Sequence, residues 1–367
     1  MEELKRKGTS KRKSKRKINR WFLVGLCTVL LVIIGIFTIP KQISDSKLAK
    51  LGYSEEAIAS IYDLKLSDQF ITNETFSDLL NTEITKSDFR KDDLTMYLNR
   101  TENTEQDWFL FDKLQSIAYT KDESVKILNE LQFFEIAPMF VFNNITDLDV
   151  YIEDCKDNRT TNGEDYFVLD GDYYLFYENV KPTDNVEGLD KLINKTYYID
   201  QDYTPELVSV DLDYASKGVL LDARVIENLA AMCDAMKDDG LLTYVGSGYR
   251  DYDTQSELFA DYILRYGEEE ALKFSAKPGH SEHQTGLAMD FVSGDSSYDK
   301  YADTDEYQWL LENAQDYGFI QRYQENKTEI TGYNAESWHW RYLGVELAQK
   351  VKESNLTYDE YYALYLS

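Results

Sequence analysis

Histidine and cysteine are nearly absent from this chain, with three of each in 367 residues. Cys27 lies in an apolar run, while Cys155 and Cys233 stand far apart, and no Cys-x-x-Cys spacing occurs. No cysteine is paired with a histidine as a thiol nucleophile needs. A single disulfide between Cys155 and Cys233 is compatible with an extracellular compartment, and so is its absence. Positive charge is also scarce beyond residue 40, where 29 basic residues face 65 acidic ones, a net charge of −36. Such a surface repels nucleic acid and anionic lipid and stays soluble. Twenty-nine tyrosines and 43% apolar residues supply ample core, which excludes a disordered stalk.

The basic residues are concentrated at the start. Ten Lys or Arg occupy the first 20 positions, and Trp21 to Ile39 then runs 19 residues without a charge before Pro40-Lys41. As a helix that run spans ~28 Å, close to a hydrocarbon core of ~30 Å. Dense positive charge before it predicts a retained single-pass anchor, with the N-terminus cytoplasmic and the rest outside the cell membrane. A cleaved signal peptide is the rival reading, but no Ala-x-Ala site follows, and Ser44-Asp45-Ser46 is a weak substitute.

The three histidines sit in two stretches that also carry carboxylates. His280 and His283 lie in Pro278-Gly279-His280-Ser281-Glu282-His283-Gln284-Thr285-Gly286-Leu287-Ala288-Met289-Asp290, and His339 lies in Glu336-Ser337-Trp338-His339-Trp340. His283 and Asp290 are seven apart with Gly286 between them, so a turn can bring both side chains to one point. His339 must then arrive by folding. Two imidazoles and a carboxylate form a three-ligand zinc set that leaves a fourth position for water. Glu336, three residues before His339, is placed to take a proton from that water. His280 stays out of the ligand set, because an i,i+3 pairing in a Gly-preceded loop is poorly constrained.

About 325 residues follow the apolar run, which favours two domains. The expected organisation is a basic tail (1–20), a transmembrane helix (21–39), a helical leader (42–145), a small β-containing connector (146–189) and a catalytic domain (190–367). The leader carries a weak repeat: Gly52-Tyr53-Ser54 before one amphipathic run resembles Ala118-Tyr119-Thr120 before another. Thr120 and Glu123 read as a capping box. Tyr166–Leu169 and Tyr173–Tyr177 read as strands separated by Asp170-Gly171. Further on, helices are expected over Asp222–Lys237, from Asp253 or Thr254, and over Asp305–Tyr317. Strands are expected near Leu242–Ser247, Leu287–Val292, Phe319–Tyr323 and Trp338–Leu343. Trp338 is expected to wall the site and Trp340 to support it.

Ser247-Gly248-Tyr249-Arg250 with Gln255, then Ser281-x-His283-x-x-Gly286-x-Ala288-x-Asp290, then Glu336-x-Trp338-His339 resemble the VanY-type D-alanyl-D-alanine carboxypeptidases. These metallopeptidases share a fold with the hedgehog signalling domain, and the likeness covers roughly residues 190–350. The resemblance implies an α+β fold with a central antiparallel sheet, and zinc held by His283, Asp290 and His339. It implies Glu336 as general base and Arg250 as stabiliser of the oxyanion or holder of a substrate carboxylate. Gln255, Ser281 and Tyr323 fall where similar enzymes bind the stem peptide. Members often have proline where this chain has Ser337. The implied activity is removal of the C-terminal D-alanine from peptidoglycan stem peptides or their precursors. An L,D-carboxypeptidase or an endopeptidase would keep the same site, and a non-catalytic cell-wall peptide-binding zinc module would use the scaffold without turnover.

Overall fold

The computed structural model describes residues 41–143, 145–159, 173, 176–294 and 298–367. The expected anchor and Cys27 lie outside these residues; among the described residues no helix is long and apolar enough to cross a membrane. The chain forms two compact units, one ending at Thr104 and the other spanning Glu105–Ser367.

The first unit is helical: residues 41–51, then Glu55–Asp63, Ser67–Thr72, Asp78–Glu83 and Leu94–Leu98. Gly52 takes φ 120°, Tyr53 is buried, and Ser54 caps the next helix by accepting from Ala57 N. The second copy of that pattern, in the other unit, repeats the device. Ala118 takes φ 75°, Tyr119 is buried, and Thr120 forms a capping box with Glu123. The repeat therefore encodes a helix start: a left-handed residue turns the chain, a tyrosine anchors it, and a hydroxyl caps the free amides.

In the second unit, helices Glu105–Ser116, Lys121–Glu130, Phe133–Phe142 and Leu148–Asp157 share a core with the C-terminal helices Val345–Ser354 and Tyr358–Tyr361. The stretch expected as a β-containing connector begins with the helix Leu148–Asp157. Asp147 caps it by accepting from Val150 N, and Tyr151, Ile152 and Cys155 form its buried stripe. The expected strand at Tyr166–Leu169 lies outside the described residues. Cys155 and Cys233 are both buried as free thiols.

Strands β1 (Lys181–Pro182) and β2 (Tyr197–Tyr198) form a short parallel pair, and β3 (Leu207–Ser209) and β4 (Leu220–Asp222) an antiparallel one. Asp222 thus ends a strand instead of starting a helix. It is buried and bonded to Arg224, and the helix begins at Ile226 and runs to Asp238. The helix expected from Asp253 begins at Tyr252, capped by Asp251. The central sheet contains β5 (Tyr244–Ser247), β6 (Ala288–Val292), β7 (Phe319–Tyr323) and β8 (Glu336–Tyr342), ordered β5-β6-β8-β7 and antiparallel throughout. Met289, Phe291, Trp340 and Tyr342 alternate onto one face and pack on the helix Ile226–Asp238. Asp290, His339 and Arg341 occupy the positions between them.

Gly286 joins the turn bearing His283 to β6. Its φ is +67°, and a Cβ there would lie 2.9 Å from Asp222 N. Gly286→Ala should lower unfolding stability by at least about 1–2 kcal/mol from the left-handed conformation alone. Chemical denaturation reads this directly, and an unchanged midpoint would contradict the strain.

Candidate metal centre and active site

The site is assembled by one strand pairing and one turn. Asp290 on β6 lies directly opposite His339 on β8. Opposed residues on antiparallel strands hold their Cβ atoms about 4.5–5.5 Å apart, so the register alone brings these two side chains together. A 3₁₀ turn over Glu282–Thr285 then delivers His283, whose Nε2 lies 3.4 Å from Asp290 Oδ2. The other oxygen, Asp290 Oδ1, lies 3.1 Å from His339 Nδ1. Donor atoms of His283, Asp290 and His339 all lie within 4.8 Å of one another.

Glu336 and His339 are three apart, a spacing that on a regular strand puts side chains on opposite faces. The structure resolves this with a bulge. Gln321 pairs with Trp340 while Tyr323 pairs with Glu336, so two steps on β7 match four on β8. Trp340 Nε1 donates to Ser337 O across the irregular stretch, at 2.9 Å. The bulge turns Glu336 back to the site, where its Oε2 stands 3.9 Å from His339 Nδ1. That is near the donor set but beyond hydrogen-bond range of the ring.

Both imidazoles have one nitrogen fixed by the protein. His283 Nδ1 lies 2.7 Å from Gly248 O, which only accepts, so Nδ1 carries the proton and Nε2 is free to ligate. His339 Nε2 lies 3.2 Å from Glu282 Oε2, leaving Nδ1 toward Asp290 and Glu336. Burial pushes His283 below its ordinary value despite Asp290 beside it. Burial also works against charge on Asp290 and His339. It is outweighed by their mutual contacts and the neighbouring groups, which depress the Asp290 carboxyl and raise His339 to about 9. Burial raises Glu336 to about 8, with Asp290 and Glu282 adding to the effect against His339 and Arg250.

Arg250 reaches the same cleft. Its Nη1 donates to Gln255 Oε1 at 2.7 Å, and Gln255 Nε2 donates to Ala276 O at 2.7 Å. Gln255 is buried, lies at the cleft wall and braces the guanidinium. Ser281 also lines the cleft, whose other walls include Leu258, Tyr262, Phe274, Tyr298 and Trp338. Tyr323 is buried with its ring centroid 5.0 Å from that of His339. Trp340 lies in the core beneath. His280 is turned away from the donor set: its Nδ1 lies 2.7 Å from Asn194 O and its ring packs on Tyr177. Glu282 is the site residue that the motifs did not single out.

The profile of the VanY family, D-alanyl-D-alanine carboxypeptidase, matches residues 218–345. The chain is 35% identical over 220 residues to the putative carboxypeptidase YodJ of Bacillus subtilis (strain 168), covering 57% of this chain and 80% of that protein. It is 37% identical over 170 residues to a D-alanyl-D-alanine carboxypeptidase of Enterococcus faecalis (strain ATCC 700802 / V583), covering 44% of this chain and 62% of the relative. Among solved structures, the LdcB LD-carboxypeptidase shares 36% identity and a TM-score of 0.48, over 50% of this chain and 90% of that one. The chain belongs to the VanY-type family of D-alanyl-D-alanine carboxypeptidases. It is a metallocarboxypeptidase of that type, and its two imidazoles and one carboxylate fit zinc.

The raised Glu336 carboxyl and His339 imidazole give a signed expectation for metal-free protein. Glu336 holds its proton from its ordinary 4.5 up to about 8, and His339 from 6.5 up to about 9. In both windows these two groups bind more protons in the folded state than in the unfolded state, so their contribution to stability should fall as pH rises. Zinc competes with those protons, so its stabilisation should grow over the same range. Thermal melts with zinc and with chelator at pH 6 and pH 9 test this. A zinc-induced gain in Tm that shrinks toward pH 9 would contradict it.

Proposed function

We propose that this protein is a membrane-anchored zinc D,D-carboxypeptidase that removes the C-terminal D-alanine from peptidoglycan stem peptides or their precursors outside the cytoplasmic membrane. The observation that carries the reading is the position of Glu336, beside the His283–Asp290–His339 donor set and outside it. A binding module has no need of a buried carboxylate aimed at that point. Zinc, when bound, polarises the scissile carbonyl and makes water a far stronger acid than its ~15.7 in bulk.

The chain's own residues supply the proton traffic and the charge. Glu336 accepts a proton from the attacking water as its oxygen bonds to the carbonyl carbon. It then returns that proton to the D-alanine nitrogen as the C–N bond breaks. Burial works against the charged form of this carboxyl, which suits it to holding the proton between the two steps. Arg250, braced by Gln255, brings positive charge to the cleft, either at the carbonyl oxygen or at the free carboxylate of the terminal D-alanine. His283 and His339 present one nitrogen each, with the other tied to Gly248 O and Glu282. The apolar run from Trp21 to Ile39 behind ten basic residues supports the anchor.

The full chain should release D-alanine from pentapeptide muropeptides in a zinc-dependent manner, and Glu336→Ala should lower kcat by at least about 10². Full activity in that variant would remove Glu336 as the base. Release from tetrapeptides alone would favour L,D specificity, and binding without turnover would favour a recognition module. Arg250→Lys separates the two roles of the guanidinium. A fall in kcat at unchanged KM assigns it to the carbonyl oxygen, and a rise in KM at unchanged kcat assigns it to substrate binding.

A further inference from the structure

Glu282 sits next to a metal ligand in sequence, but its carboxylate faces the far side of the other histidine. Its Oε1 accepts from Arg322 Nε and Arg341 Nη1, each at 2.9 Å. Its Oε2 lies against His339 Nε2. Arg341 is held in turn by Leu189 O and Lys191 O at 2.9 Å each. Arg322 Nη1 donates to Asp359 Oδ2 from the helix Tyr358–Tyr361, and Asp359 Oδ1 accepts from Asn194 Nδ2 at 2.6 Å. Side-chain exposure is 0% for Glu282, Arg322 and Arg341 and 2% for Asp359.

The formal charges of these four groups cancel, so the cluster adds no net charge behind His339. Two arginines occupy Oε1, which leaves Oε2 for one donor. An ionised carboxylate only accepts, so the ring must donate from Nε2, and Nδ1 then offers its lone pair on the side of Asp290. Stability alone is a poor account of this arrangement. Well-packed apolar residues often serve as well as or better than buried ion clusters. Moreover, Arg322 Nη2 is buried without an acceptor, a defect that costs about 1–3 kcal/mol.

We propose that Glu282 is a positioning residue for the metal: locked by Arg322 and Arg341 and backed by Asp359, it selects the nitrogen of His339 that ligates and so sets metal affinity. This rests on the zinc site proposed above. The ion cluster also ties the C-terminal helix to the centre, so a change at Asp359 reaches His339 through two intervening side chains, Arg322 and Glu282.

Zinc affinity of the full chain, measured by competition with a chromophoric chelator, tests the proposal. Glu282→Gln should weaken zinc binding about 10–100-fold. Asp359→Asn should shift it in the same direction by a smaller factor. Imidazole ¹⁵N NMR of zinc-loaded wild type should show His339 bound through Nδ1 with Nε2 protonated, which decides the matter even if Glu282→Gln does not fold. Zinc affinity within roughly twofold of wild type in folded Glu282→Gln would overturn the positioning role, as would His339 ligating through Nε2. Wild type that binds no zinc would overturn the functional reading and this inference together, whereas an unaffected Glu282→Gln beside a zinc-binding wild type would overturn the inference alone.

Discussion

The register that sets Asp290 opposite His339 is the constraint on which the site depends. These residues are 49 positions apart, and only the antiparallel pairing of β6 with β8 makes them neighbours. A slip of one residue would send one of the two side chains to the other face of the sheet. The alternate positions guard against that slip. Met289, Phe291, Trp340 and Tyr342 are buried in the core beneath, so a shifted strand would bring charge into that core and aromatic rings to the cleft. Packing on one face thereby holds the chemistry on the other.

Two local devices adapt the sheet to its task. Gly286 permits the left-handed turn that swings the segment bearing His283 back over β6. The bulge in β8 reverses the facing of Glu336, so that a residue three positions before a ligand joins it instead of opposing it. Electrostatics follow from this crowding. Asp290, Glu336 and Glu282 converge around two imidazoles in a buried volume, and the three answer differently. Burial is the largest influence on each, yet Asp290 and Glu282 have cationic partners strong enough to keep them ionised, while Glu336 does not and is raised to about 8. The ligand, the orienting anchor and the proton acceptor proposed for the site thus differ in surroundings, although all three are carboxylates.

Much of this was legible in the sequence because histidine is so scarce. Three imidazoles in two carboxylate-bearing stretches leave few ways to build a metal site, and the strand expected near Phe319–Tyr323, after the helix stop at Gly318, lies where the structure has β7. Glu282 was not legible as a site residue. Its charge partners lie 40 and 59 positions away, and a glutamate in a polar loop ordinarily faces water. A signal did exist: Arg341 lies two residues beyond His339 and therefore on its face of the strand, where a buried arginine requires an anion. Gln255 showed the same limit. Its position near Arg250 was visible, but its bond to the guanidinium depends on how the helix Tyr252–Tyr266 docks. The helix at Leu148–Asp157 was not singled out within the expected connector, since its cap and its stripe act only once a core exists to receive them.

In the proposed site one zinc ion is held jointly by the turn, β6 and β8. X-ray absorption on the zinc-loaded full chain tests it most directly. One zinc per chain is expected, with two imidazole nitrogens and carboxylate oxygen in its shell, and that signature should be lost in Asp290→Ala. A shell lacking histidine, or one unchanged in folded Asp290→Ala, would contradict it.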